Sequence, residues 1–201
     1  MPQAITHSPP RPLILGSSSA YRRELMLRLG LPFEVVAPAL DESPLAGEAP
    51  AALAQRLARA KADAVAQQHP SAVVIGSDQV ADLQGEPLGK PGTHARAVAQ
   101  LQKMRGQAVV FQTAVSVVCI ELGFAQTELA TARVRFRDLS DAEIERYLLS
   151  EQPYDCAGSA KSEGLGIALL DTIESDDPTT LVGLPLIRTC RLLRSAGLQI
   201  P

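Results

Sequence analysis

Val73-Val74-Ile75-Gly76-Ser77-Asp78-Gln79-Val80 is an apolar, β-branched run broken by two small residues and a carboxylate. Such a run reads as a buried strand that carries Asp78 to a cleft at or near its end. An Asp in that place either caps a turn or works in the cleft, and the residues downstream weigh on the choice. Asp82 to Glu86 has the composition of a hairpin turn, which returns Pro87-Leu88-Gly89-Lys90-Pro91 beside Asp78. Lys90, held between Gly89 and Pro91, has little packing to do and can serve as a point charge for phosphate.

Upstream, Leu13-Ile14-Leu15-Gly16 runs into Ser17-Ser18-Ser19 and then Ala20 to Leu25, which reads as strand, small-residue loop and helix start, with Gly30 as the stop. Backbone amides at a helix start, serine hydroxyls and Arg22 or Arg23 can together bind an anion, although an ordinary capped helix has the same pattern. The glycine spacing of a P-loop is missing. Leu31 to Leu40 is largely apolar and reads as a second strand ending at Asp41-Glu42-Ser43-Pro44. The two carboxylates there either make a polar turn or hold Mg²⁺, which takes oxygen ligands and bridges to phosphates. Ala51 to Gln68 is helical, with Leu53, Leu57, Ala60, Ala64 and Val65 on one face and Lys61 on its flank as a surface lysine able to lean over a cleft edge.

Further on, Thr93 caps a helix through Met104, and Ala108–Glu121 and Ala125–Phe136 form an antiparallel pair at the base or back of the sheet. Ser140 with Glu143 makes a capping box ahead of Ile144, Tyr147 and Leu148. Cys156 to Gly166 holds three glycines around Lys161 and Glu163, indicating close backbone approach to a ligand or another loop. Ile167 to Leu170 reads as a strand, Glu174 to Asp177 as an acidic loop, and Pro185 to Ser195 as the closing helix.

With 201 residues, 46% of them hydrophobic, the chain can bury roughly 70% of its unfolded surface in one unit or two close lobes. A net charge of −3 argues against a general nucleic-acid binder. Cys119, Cys156 and Cys190 lack zinc spacing and read as buried thiols of a cytoplasmic protein. Met1–Pro12, with four prolines, reads as a flexible tail before one domain over 13–201, and no run reaches membrane-span length.

Ser17 to Leu25, Asp41 to Pro44, Leu57 to Ala62, Gly76 to Val80, Gly89 to Pro91 and Leu181 to Pro185 together resemble, in that order, the Maf family of nucleoside triphosphate pyrophosphatases. The resemblance implies an elongated, Maf/ITPase-like α/β fold with a mixed twisted sheet and a cleft between two lobes. It also implies a Mg²⁺ or Mn²⁺ cofactor and a small-molecule nucleotide substrate split into monophosphate and pyrophosphate, and a homodimer is compatible with it. Net charge and the lack of long apolar runs, rather than the resemblance, lead to the expectation of neither nucleic-acid nor membrane partners. Gly76 to Val80 and Ala157 to Gly164 are similar to the branch acting on 7-methyl-GTP, whereas a dTTP/UTP branch would carry Thr at Gln79. On that resemblance Asp78 is the proton acceptor, and Tyr21, Gln79 and Glu163 choose the base. Ser17, Ser19, Arg22, Lys61, Lys90 and Lys161 are the phosphate-binding candidates, and Asp41 and Glu42 the metal candidates. Ala20, where proline is usual, and Tyr21, where Trp is more common, depart from the pattern. A pyrophosphatase for dTTP, UTP or another modified nucleotide, and a non-enzymatic regulator of cell division, are the alternative readings.

Overall fold

The computed structural model describes residues 11–200, so most of the expected tail, residues 1–10, lies outside the described residues. Arg11 is tied down, donating to Ser71 O at 3.0 Å and pairing with Glu121 at 2.9 Å. In chain order the elements are β1 (Leu13–Gly16), α1 (Ala20–Leu27), β2 (Glu34–Val35), α2 (Pro50–Ala66), β3 (Val73–Leu83), β4 (Glu86–Leu88), α3 (His94–Met104), β5 (Ala108–Cys119), β6 (Phe124–Phe136), α4 (Asp141–Glu151), β7 (Leu170–Glu174) and α5 (Leu186–Ser195). The strands form one mixed seven-stranded sheet in the order β2-β1-β3-β5-β6-β7, with β4 paired to β3. The expected α/β class and mixed sheet are therefore present. No helix among the described residues is long and apolar enough to cross a membrane.

Period-2 alternation along β3 sorts the core. Gly76 and Val80 face α2, whose Leu53, Ala54, Leu57, Ala58 and Ala62 pack on this side of the sheet. Ile75 and Ala81 point to the opposite face, where two separate clusters form. Ile75 joins Leu15, Val117, Leu25 and Leu192 beneath α1 and α5, and Ala81 joins Phe111, Leu101, Met104, Ile144 and Leu148 beneath α3 and α4. Between them, this face of the central strands carries polar side chains, Ser77 and Gln79 on β3 and Thr113 on β5. An interruption between two apolar clusters on one sheet face is where a cleft can open without exposing core.

Several local expectations need correction. Leu31–Leu40 yields only the two residues of β2, because Pro32 and Pro38 cannot donate to a ladder. Ile167–Leu170 is mostly a 3-10 helix, Leu165–Leu169, and the strand follows it as β7; a Cβ on Gly166 would sit 2.5 Å from Lys161 O, so the chain folds back on itself here. The β5–β6 pair is no backing to the sheet, since β5 is a central strand paired to both β3 and β6. Asp177, placed in an acidic loop, is fully buried and accepts from Ile187 N at 2.8 Å and Thr179 Oγ1 at 3.0 Å, capping α5. Of the three thiols only Cys119 is buried; Cys156 and Cys190 are half-buried.

The capping box of α4 forms as its sequence requires: Ser140 Oγ accepts from Glu143 N, and the Glu143 carboxylate accepts from Ser140 N at 2.8 Å. Those Ser140 donors, with Arg137 beside them, hold the Glu143 pKa down to about 2 from an ordinary 4.5. Ser140→Ala is expected to cost about 1 kcal/mol of stability in a urea titration. Because the folded-state pKa is the depressed one, the Glu143 contribution is complete above pH 4.5 and is lost as pH falls towards 2. Glu143→Gln should therefore flatten the acid limb of melting temperature against pH, and an unaltered limb would refute the assignment.

Candidate active site

The register of the sheet creates the opening. β1 pairs with β3 only as far as Gly16 opposite Gly76, and β4 takes the same edge from Leu88 opposite Ala81. Between those points Ser77-Asp78-Gln79-Val80 has β5 on one edge and, among the described residues, no strand on the other. β1 ends here in Ser17-Ser18-Ser19 and the start of α1, and β4 ends here in Gly89-Lys90. Ligand clefts in open α/β sheets form at such breaks beyond the carboxyl ends of strands. A cavity of about 570 Å³ opens at this break, lined by Ser19, Tyr21, Arg22, Lys61, Asp78, Gln79 and Lys90 among others. Asp78 thus lies in the middle of an eleven-residue strand rather than at its end, and reaches the cleft through a missing neighbour strand.

On the α2 face Lys61 Nζ donates to Asp78 Oδ1 at 2.7 Å and to Glu42 Oε2 at 2.9 Å. Lys61 is only 5% exposed and Asp78 only 7%. Lys61 is therefore a buried bridge, against the surface position expected of it, because α2 rides directly over Gly76 and lowers that turn onto β3. Arg22, partly buried, donates through Nε to Gly183 O at 2.8 Å and through Nη1 to Ser17 Oγ at 3.4 Å. Desolvation draws its pKa below the ordinary guanidinium value, while Asp78 and Glu42 act in the opposite direction. Ser19 caps α1 by accepting from Arg22 N, and Ser17 Oγ accepts from Ser19 N at 3.2 Å beneath the loop. Lys90 is exposed at the rim.

On the other face, the Gln79 amide nitrogen meets three acceptors: Thr113 Oγ1 and Thr180 O at 2.9 Å and Leu181 O at 3.1 Å. Ser77 Oγ donates to Ala114 O and to Gly183 O. These contacts lash Thr180–Gly183 to the strand and fix the orientation of the Gln79 side chain. Tyr21, Asp155, Cys156 and Glu163 line a neighbouring part of the cleft, with the Tyr21 hydroxyl donating to Asp155 Oδ1 at 3.4 Å. Burial pushes the Cys156 thiol up to about 12.

The structure thus brings Tyr21, Ser19, Arg22, Glu42, Lys61, Asp78, Gln79, Lys90 and Glu163 to one cleft, although they come from six separate stretches. Three candidates stand apart. Lys161 does not line the opening and is paired to Glu151 at 2.7 Å; Ser17 lies behind the loop; and Asp41 accepts from Ser43 N at 2.9 Å instead of joining Glu42. Two contributors went unread in the sequence. Gly183 works through its carbonyl, which no side-chain pattern advertises, and Asp155 lies just ahead of the glycine-rich stretch.

The donor chemistry fits a hard cation in part. Glu42 and Asp78 both offer carboxylate oxygens to one ammonium, which marks a point where positive charge sits between two oxygen ligands. Among the described residues no group of three or more His, Cys, Asp or Glu side chains gathers to enclose a metal. Two carboxylates suit Mg²⁺ or Mn²⁺ when substrate phosphates and water complete the shell.

The family model described as "Maf-like protein" matches residues 12–196. A protein of Polaromonas sp. (strain JS666 / ATCC BAA-500) called "7-methyl-GTP pyrophosphatase" is 70% identical over 94% of this chain and 87% of its own. Its counterpart of the same name in Albidiferax ferrireducens is also 70% identical, over 94% and 96% of the two chains, and that of Burkholderia pseudomallei (strain K96243) is 61% identical over 94% and 89%. With that coverage and the cleft residues in the order the motifs require, the chain belongs to the Maf family of proteins.

Proposed function

We propose that this protein is a 7-methyl-GTP pyrophosphatase, hydrolysing its substrate to 7-methyl-GMP and pyrophosphate, with residues 13–201 acting as one catalytic unit. The observation that carries the reading is the pairing of Asp78 with Gln79: adjacent on β3, they reach the same cleft from opposite faces, one beside the cations and one beside the base-end loops. The triphosphate lies against the Ser19 amide end of α1, Arg22 and Lys90. Asp78 Oδ accepts a proton from water as the water oxygen bonds to the α-phosphorus, the α–β bridging bond breaks and pyrophosphate leaves. Lys61 holds the Asp78 carboxylate in place and faces the developing negative charge. A divalent cation held by Glu42 and Asp78 would neutralise phosphate charge and polarise the water or phosphate.

At the base end the Gln79 nitrogen is committed to Thr113, Thr180 and Leu181, which leaves its carbonyl oxygen as the acceptor for guanine N–H groups. Glu163 adds a second acceptor, and Tyr21 offers a ring on which the cationic 7-methylguanine can stack. Thr at position 79 is too short to span the same acceptors. Gln79→Thr is accordingly expected to reduce the kcat/KM ratio of 7-methyl-GTP to UTP by about tenfold or more, since losing a hydrogen-bonding partner for a polar edge is discriminating. The measurement is pyrophosphate release with 7-methyl-GTP, GTP, dTTP and UTP side by side. An unchanged ratio would remove Gln79 from base choice, and a wild type preferring UTP or dTTP would overturn the substrate assignment.

A further inference from the structure

The cleft is charged unevenly. Arg22 and Lys61 gather with Asp78 and Glu42, Lys90 is exposed at the rim, and the lining carboxylates that act on the Tyr21 hydroxyl are those of Asp155 and Glu163. Asp155 Oδ1 is 3.4 Å from the Tyr21 hydroxyl. Among the described residues Lys161 Nζ approaches the ring, at 5.7 Å from its centroid, but its charge is met by Glu151 at 2.7 Å and it does not line the cavity. The remaining charge is that of two carboxylates beside an aromatic face. Burial chiefly raises the pKa values of the Tyr21 hydroxyl and the Cys156 thiol, and the negative charges of Asp155 and Glu163 raise both further.

Resting on the pyrophosphatase assignment above, we propose that this end of the cleft selects for positive charge on the base as such. Its substrate class is nucleoside triphosphates with a cationic, ring-alkylated base, 7-methyl-GTP being one member, and Asp155 is a further specificity-determining residue. Hydrogen bonds from Gln79 and Glu163 read the edge of guanine and would not serve another base. An aromatic face flanked by carboxylates reads charge, and any alkylated base that has become cationic satisfies it. Asp155 is exposed at the cleft, where water screens it; a stacked base displaces part of that water and strengthens its field.

The test uses paired nucleotides at neutral pH: 7-methyl-GTP against GTP, and 1-methyl-ATP against N6-methyl-ATP, isomers of which only the first is a ring cation. Pyrophosphate release by the wild-type chain should favour 1-methyl-ATP over N6-methyl-ATP by about tenfold in kcat/KM, mainly through KM. Asp155→Asn should lower both cation-to-neutral ratios by about three- to tenfold, the scale of one partly screened charge at short range, and Asp155→Glu should restore them. A preference for 7-methyl-GTP over GTP with none for 1-methyl-ATP over its isomer would overturn charge selection while leaving the pyrophosphatase assignment intact. Ratios unmoved by Asp155→Asn would overturn the role of Asp155. Release from none of the nucleotides would overturn the assignment and this inference together.

Discussion

Asp78→Asn is expected to lower kcat for 7-methyl-GTP hydrolysis by ~10²- to 10⁴-fold, the contribution usual for a positioned general base. Asparagine keeps the shape and can still accept a hydrogen bond from Lys61 through its amide oxygen, but it cannot take the proton of the attacking water. The substitution also takes one of two carboxylates from a lysine that is almost wholly buried. Glu42 remains at 2.9 Å, and its own side chain is half exposed, so Lys61 keeps a counter-charge that is itself hydrated. The stability loss should therefore stay near 1–3 kcal/mol, below the ~3–5 kcal/mol of a buried charge left without any partner. Pyrophosphate release measured beside a urea titration separates the two effects. A variant that is folded and within a few-fold of wild-type kcat would remove Asp78 from the proton transfer and shift the chemistry onto other groups.

The second large effect concerns Gly76→Ala, two residues earlier on the same face of β3. A Cβ at Gly76 would lie 2.3 Å from Ala58 O and 2.5 Å from Ala62 N, both backbone atoms of α2 that cannot rotate away. Helix and strand must separate to admit the methyl group, at a cost of about 3 kcal/mol or more. At ~2–4 °C per kcal/mol for a chain of this size, melting should fall by about 6–12 °C. The same displacement lifts the turn of α2 that brings Lys61 to Asp78, so activity should fall beyond what the unfolded fraction explains at a temperature where the variant is folded. Gly89→Ala is the control: it also lies at the cleft, its Cβ would meet nothing within 4 Å, and its melting temperature should barely change. A Gly76→Ala variant melting within a degree or two of wild type would mean that α2 does not rest on β3 at this glycine.

Both expectations depend on the distance between one helix and one strand, which separates the legible part of the site from the rest. Thr93 and Ser140 were readable as caps because each signal is completed within three residues of backbone. The β3–β4 hairpin was readable for the same reason, through Gln84 and Gly85, both at positive φ. Leu31–Leu40 misleads because its apolar residues suggest a full strand, whereas its two prolines cannot donate to a ladder and leave only Glu34–Val35 paired. At Ile167 the misleading feature was the apolar run itself, since the glycines that fold it onto Lys161 lie just before it.

The lysines show where local reading stops. Lys61 and Lys161 were both candidates for phosphate, each preceded by an alanine in the sequence. One became a buried bridge between Asp78 and Glu42, and the other was drawn away to Glu151 near the end of α4. Nothing within several residues of either distinguishes these outcomes.

The sequence by itself determined the class of the fold, most of its helices and central strands, the family, and the position of Asp78 and Gln79 on a buried strand. The family rests on the ordered motifs; the rest follows from hydrophobic period, caps and turns, which are short-range properties of the chain. The tertiary structure alone decided that β1 ends opposite Gly76 and β4 ends opposite Ala81, so that the strand edge lies open where Asp78 sits. It also decided which cation reaches that carboxylate. Strand register and the closeness of α2 to β3 are settled by contacts among residues far apart in the chain, and a charge finds its partner only after those contacts have placed it.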